Sequence, residues 1–186
     1  MYSFQHCAHD GCPRYATHLS SYCLIHDPAQ KVEEALAQPL LDSVSLSNVV
    51  ITSGGFSSKR IVGSLFSYAT FVGVSFQSAT LLNSNFSFCL FERCTFDEVN
   101  CRYVIFSGST FRGCSVHNAS ITHTNFSGSV ISECDFTGSD LYYSSFASSH
   151  LTDTKMEDCN LRKANFFDSY RQNLSFRWSN YKEVLR

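Results

Sequence analysis

The chain has no run of ~18 apolar residues, so no membrane-spanning helix is expected. Its first residues, Met1 to Cys7, lack a basic segment followed by an apolar one and do not read as a secretory leader. A cytoplasmic protein is the expectation. Neither sign of charge is in excess: 14 Lys and Arg stand against 16 Asp and Glu, a net of −2 over 186 residues. A strongly basic nucleic-acid binder does not have that balance, and neither does a strongly acidic nucleic-acid mimic. Tryptophan occurs once, against 17 Phe. What is present is apolar enough, at 44%, to build a packed core. The nine Cys are an odd number. Without an export signal they point to reduced thiols that are buried or bind metal.

A period of five organises most of the chain. Counting in fives from Leu41, through Phe66, Phe86, Phe106, Phe126 and Phe146 to Phe166, gives 26 consecutive apolar residues, 13 of them Phe. At this composition chance would give such a run on the order of 10⁻⁹ of the time. Two residues before each large centre lies a small one. From Ser64 to Ser169 that slot holds only Ala, Ser, Cys, Val or Thr. Neither the 3.6 period of a helix nor the 2 of a strand fits. A chain that turns a corner every five residues does fit. Four sides make a square coil of 20 residues, stacked on the next at the ~4.8 Å spacing of paired strands. Phe66, Phe86, Phe106, Phe126, Phe146 and Phe166 then form one inner ladder. Ile61, Leu81, Cys101, Ile121, Leu141 and Leu161 form an adjacent column. A filled interior leaves no room for a substrate.

The repeat resembles the pentapeptide repeat family, with consensus A-(D/N)-L-x-x. Ser139-Asp140-Leu141-Tyr142-Tyr143 and Ala164-Asn165-Phe166-Phe167-Asp168 match it closely. The resemblance implies an all-β fold, a right-handed quadrilateral β-helix over residues 41–170, with the handedness supplied by the family.

Residues 1–27 do not follow the period. Their pattern is Cys7-x4-Cys12-x10-Cys23-x2-His26. Two short-spaced pairs of this kind can converge on one tetrahedral zinc ion, and a segment this short needs such a staple. Asp10-Gly11 supplies a tight turn before Cys12. The pattern resembles short bacterial zinc-finger modules; His6, His9 and His18 are further ligand candidates. Residues 1–40 sum to −2 (Arg14 and Lys31 against Asp10, Asp27, Glu33 and Glu34), so nucleic-acid contact is not expected of this module.

Asp27-Pro28 reads as the start of a short helix within 28–40 that covers the first coil. Residues 171–186 read as a C-terminal cap, with Ser179 as N-cap of a last turn. A homodimer through this cap is a further expectation.

The six remaining thiols, Cys89, Cys94, Cys101, Cys114, Cys134 and Cys159, fall on inward positions and read as buried. The acid pairs Asp97-Glu98 and Glu157-Asp158 sit on outward slots and read as solvated charge, and Glu92 should pair with Arg112 one coil on. No nucleophile–base set or phosphate loop appears, so no catalytic residue is assigned. Outward aromatics are the candidate partner surface: Tyr103, His123, Tyr142 and Tyr143, with Tyr68 and Phe88 as a second, smaller site. The function expected is a non-catalytic protein-interaction scaffold with one structural zinc and an unidentified protein partner. The alternative is a DNA-mimic modulator of a type II topoisomerase, resembling the quinolone-resistance pentapeptide proteins. Two departures weigh against it: residues 41–170 carry 11 acids and 8 bases, a net of only −3, and no projecting loop interrupts the repeat.

Overall fold

The computed structural model describes residues 5–16, 21–23, 26, 37–52 and 55–185. From residue 40 on, the chain is a parallel β-solenoid. One side of the coil carries β1 (Leu40–Asp42), β3 (Arg60–Val62), β5 (Thr80–Leu82), β7 (Asn100–Arg102) and β9 (Ser120–Thr122). The opposite side carries β2 (Val50–Ile51), β4 (Thr70–Val72), β6 (Leu90–Glu92), β8 (Thr110–Arg112), β10 (Val130–Ser132), β11 (His150–Thr152) and β12 (Tyr170–Gln172). Within each sheet every strand pairs in parallel with the residue 20 positions on: Leu41 with Ile61, Phe91 with Phe111, Leu151 with Arg171. The two sides between the sheets are held by single bridges in the same register, such as Ser45 to Leu65 and Asp135 to Lys155.

The reason for the register lies inside. Phe66, Phe86, Phe106, Phe126, Phe146 and Phe166 stack ring on ring, with centroids 4.6 to 5.3 Å apart. Phe56, Phe76 and Phe96 do the same on another side, at 4.7 Å. Each ring is buried on a neighbour of identical shape, which keeps interdigitation regular along the axis. Ile61, Leu81, Cys101, Ile121, Leu141 and Leu161 are all buried in the adjoining column.

The small slot does more than save space. At many positions its hydroxyl or thiol donates to the carbonyl of the large centre in the coil before, as Ser109 does to Phe86 (2.7 Å), Ser144 to Ile121 (2.8 Å) and Cys159 to Phe136 (3.1 Å); at others, such as Ser129 on Phe126 (2.6 Å), it donates within its own coil. A hydroxyl of the first kind also accepts the slot residue's N–H from the coil before, as Ser109 does from Cys89 (2.9 Å) and Ser144 from Thr124 (3.1 Å). A buried hydroxyl left without partners would cost about 1–3 kcal/mol; here it ties two coils together.

The corner after each large centre is left-handed. Every fifth described residue from Ser43 to Trp178 has φ between about 49° and 77°; 21 of them are not glycine. None is Val, Ile or Thr, whose branched Cβ is least compatible with that backbone.

The ladder continues to the end of the described chain. β12 pairs with β11, Lys155 bridges to Ser175, and Asn165 bridges to Leu185. The reading of Ser179 as a helix N-cap is corrected. Its hydroxyl donates to the Met156 carbonyl (2.6 Å) and accepts the Cys159 N–H (2.7 Å), because it occupies the small slot of one more coil. The last turn is a 3-10 segment, Tyr181–Glu183, preceded by Asn180 without a side-chain cap bond. The expected helix start at Asp27-Pro28 lies outside the described residues. Among the described residues no helix is long and apolar enough to cross a membrane.

Candidate metal centre and aromatic column

The N-terminal module begins as a tight β-turn. His6 bridges to Tyr15 in antiparallel sense, the Cys7 N–H donates to the Arg14 carbonyl (2.9 Å), and the Ala16 N–H to that of Gln5 (2.8 Å). Gly11, at φ +73°, reverses the chain, and Cys12 follows with its N–H on the His9 carbonyl (3.1 Å). A second short turn joins Cys23 to His26, whose N–H donates to the Cys23 carbonyl (2.9 Å). The Ala8 N–H donates to the Ser21 carbonyl (2.9 Å) and brings the two turns together.

Four side chains converge there. Cys7, Cys12, Cys23 and His26 place their ligand atoms within 4.8 Å of one another. His26 Nδ1 lies 3.4 Å from Cys7 Sγ and 3.5 Å from Cys23 Sγ, and Cys12 Sγ lies 3.9 Å from Cys23 Sγ. No disulfide forms among them. Three thiols and an imidazole at this separation can hold a metal ion. The Cys7 thiol is also prepared for it. Desolvation pushes its pKa up, but the N–H groups of Cys23 and His9 and the side chains of His26 and Cys23 outweigh that. The net effect brings it from 9.0 to about 6. The result is thiolate at neutral pH, the form that metals bind. The other histidines are engaged elsewhere: His9 stacks on His26 (centroids 3.8 Å apart) and its Nδ1 donates to the Asp10 carbonyl, and His6 stacks on Tyr15. His18 lies outside the described residues.

The outward aromatics form a continuous column along one corner of the rod. His123 stacks on Tyr143 (5.1 Å, 18° between planes), and lies 5.3 Å from Tyr103 and 5.6 Å from Tyr142. Arg102 covers the Tyr103 ring from one end and Lys163 the Tyr143 ring from the other, at 5.1 and 5.6 Å. Tyr103 and Tyr143 are about half exposed. His123 Nδ1 is shut from water between the rings and has no hydrogen-bond partner. Tyr68 and Phe88 stack separately at 5.1 Å and are more exposed still.

The rod thiols are all free and buried. Burial raises Cys89 to about 12 and Cys159 to about 11. Cys94, Cys114 and Cys134 lie one coil apart, with their thiols on the carbonyls of Phe71 (3.4 Å), Phe91 (3.5 Å) and Ser132 (3.2 Å). The neighbouring Cys134 thiol, together with burial, pushes Cys114 up to about 12. The acid pairs are less solvated than their slots suggest. Asp97 accepts the His117 N–H (2.8 Å) and faces its ring Nδ1 (3.2 Å), and Asp135 faces His117 Nε2 and Lys155 Nζ. Glu157 accepts the Ser175 hydroxyl. The expected Glu92–Arg112 pair is corrected. The two residues are in register, but Glu92 pairs with the adjacent Arg93 at 3.4 Å, which reaches it around the corner.

The family profile described as Pentapeptide repeats matches residues 89–128 and 129–168, in eight copies. No curated protein sequence matches the chain. Solved structures with a similar coil include a trypsin-treated form of QnrB1, a plasmid-mediated fluoroquinolone resistance protein. It is 18% identical, with 77% of this chain and 93% of that one covered and a TM-score of 0.37. A pentapeptide repeat protein of the Arabidopsis thaliana thylakoid lumen is also 18% identical, over 66% and 74% of the chains, with a TM-score of 0.38. HetL, a pentapeptide repeat protein of Nostoc sp. strain PCC 7120 involved in heterocyst differentiation regulation, is 15% identical over 73% and 86%, with a TM-score of 0.24.

Proposed function

We propose that this chain, whose repeat tract belongs to the pentapeptide repeat family, is a non-catalytic scaffold for a protein partner, with its N-terminal module fastened by one structural zinc ion. The aromatic column carries the reading. His123 is clasped between two half-exposed tyrosines, so the rings form one continuous surface that a partner covering the column would bury. Exposed aromatics flanked by a cation at each end are the usual makings of an interface centre. Among the described residues the interior offers no rival site: the void between its rings is about 10 Å³, lined by Phe, aliphatic side chains and Cys101. That is about the space of a single water and far below the ~300 Å³ at which ligand pockets begin.

Zinc is favoured for the module by donor type and by spacing. Around a tetrahedral ion with bonds of about 2.3 Å to sulfur and 2.0 Å to nitrogen, sulfurs lie about 3.8 Å apart and sulfur and nitrogen about 3.5 Å apart. The distances here are 3.9 Å between Cys12 and Cys23 sulfurs and 3.4 and 3.5 Å from His26 to Cys7 and Cys23. All four positions are filled by protein, which suits a structural ion and leaves none open for a reacting water. The ion would fix the two turns against each other. A duplex-like acidic rod is not favoured, since residues 41–170 carry 11 acids against 8 bases, a net of only −3. Any second copy of the chain would find Phe167, Tyr170 and Trp178 exposed near the C-terminal end of the rod.

The test is native mass spectrometry with and without chelator, paired with affinity capture. One zinc per protomer, lost on chelation, is expected. Capture should survive Cys12→Ser and fail with Tyr143→Ser and His123→Ser. Capture unaffected by both column variants would overturn the column as the partner surface. A metal-free protomer would overturn the zinc.

A further inference from the structure

The side of the rod that carries the longest Phe ladder is without charge through its first six coils, up to residue 148, and Asp168 is the first charge on it. Residues 44–48, 64–68, 84–88, 104–108, 124–128 and 144–148 contain no Lys, Arg, Asp, Glu or His, whereas each of the other three sides carries several. Its outer surface is mostly Ser, Asn and Gly, with Ile105 exposed among them and the rings of Tyr68 and Phe88 standing toward one end. The ring of Phe88 lies flat against the next coil. A Cβ added at Gly108 would sit 2.5 Å from it, so glycine there is what lets the ring lie down.

The metal-binding module overhangs this end. Between its turn and the rod is a cleft of about 630 Å³, with Arg14 and Tyr15 on the module side and Asn48, Tyr68, Asn85 and Phe88 on the rod side. That volume is in the range of ordinary ligand clefts, about 300–1,000 Å³. Three groups in it are unmatched: the buried Ser47 hydroxyl, Arg14 and Asn85. Arg14 makes no ion pair among the described residues, and its Nε is shut from water with no acceptor. Asn85 has its carboxamide oxygen engaged by the Ser87 N–H (2.8 Å) and the Ser67 hydroxyl (3.3 Å), so what it still offers is its N–H donors.

We propose that this cleft is a second binding site, taking an extended peptide segment of a partner that carries an aromatic side chain next to a carboxylate. The aromatic side chain stacks on the Tyr68–Phe88 pair. The carboxylate meets the Arg14 guanidinium, whose planar donors match it best. A peptide carbonyl takes the Asn85 N–H groups. The neutral side beyond then accommodates an uncharged stretch of chain, since charge depletion around aromatic rings marks an interface core. A single-stranded nucleic acid would also stack on the rings and place a phosphate on Arg14. It is disfavoured because each further phosphate needs a cation, and this side of the rod supplies none.

The experiment is an amide NMR titration of the full chain with N-acetyl-Phe-Asp-amide. Saturable shifts are expected at Arg14, Asn48, Tyr68, Asn85 and Phe88, spanning module and rod together. The carboxamide probe, N-acetyl-Phe-Asn-amide, should bind about tenfold more weakly, the difference of one charge-assisted hydrogen bond. Arg14→Gln should abolish that difference. Phe88→Ser, a residue this corner position carries elsewhere in the rod, should weaken both probes alike. Equal binding of acid and amide probes would overturn the proposal. So would shifts confined to the module, or centred on Tyr103 and Tyr143, or tighter binding of a five-residue oligothymidylate. None of these results bears on metal content or on capture through the Tyr143 column, so the two readings fail separately.

Discussion

The cysteines of the N-terminal module and those of the rod are chemically one residue put to opposite uses. In the module, Cys7 is surrounded by N–H donors that hold it at about 6, and its sulfur is one of four atoms gathered around a point. In the rod, Cys89 donates its proton to the Phe66 carbonyl at 3.0 Å, and burial drives it to about 12. There it stands in for serine, filling a slot where a small donor is needed. The module has little apolar volume and depends on what its sulfurs can bind; the rod has a continuous aromatic core and needs nothing of them but size and a weak hydrogen bond. Where a chain can bury enough apolar surface, cysteine becomes a packing residue; where it cannot, cysteine becomes the fastener.

That contrast can be broken at the rod most severely. Phe126→Ala removes a ring stacked on both Phe106 and Phe146 and should cost about 3–5 kcal/mol, read by urea unfolding followed by far-UV dichroism. The module should be the next most sensitive, and separately so. After chelation a chromogenic thiol reagent should label Cys7, Cys12 and Cys23 rapidly, while the six buried rod thiols wait for global unfolding. Fast labelling of all nine would show that the rod depends on the metal too, and the comparison would fall. Smaller is the effect at a corner. Ser148, at φ 54° and exposed, should lose about 1–2 kcal/mol as Ser148→Val and nothing as Ser148→Gly, measured by the same unfolding curves.

The smallest effect concerns pH. Asp135 is held at about 2: desolvation raises it, but the Thr137 hydroxyl and N–H and the Lys155 ammonium lower it further. A carboxyl lowered on folding stabilises the fold above its ordinary value of 3.8, and that contribution fades as pH falls toward 2. Asp135→Asn should therefore flatten the acid limb of the stability curve slightly, leaving stability at pH 2 unchanged. An unchanged acid limb would show the side chain to be a bystander.

Much of the rod is legible in the sequence because one inward residue per side recurs without a break, so the count from Leu41 alone places Phe66 next to Phe86 and Cys94 next to Cys114 along the axis. The metal cluster is legible because Cys7, Cys12, Cys23 and His26 are short-spaced pairs outside the period. Other features are harder to read. The left-handed corners announce themselves only by what is missing, the β-branched residues at one position in five. Glu92 has two cations within reach, and spacing does not choose between a ladder neighbour and the next residue around a corner. Ser179 follows a segment whose centre is Arg171 instead of an apolar residue, which hides the continuing period. The uncharged side emerges only when residues are sorted by twenties, and its meaning depends on Arg14, which no count connects to it.

A register of twenty has a consequence for how such a chain can change length. Inserting one residue into a coil moves every later side chain to the wrong side of the wall. Duplicating or deleting twenty leaves each side chain on its own wall and merely moves the two ends of the molecule about 4.8 Å apart or together. The distance between the metal-binding turn and the last coil can therefore be altered only in steps, like the divisions of a ruler. A partner that grips both ends would read the number of coils as a single measured length.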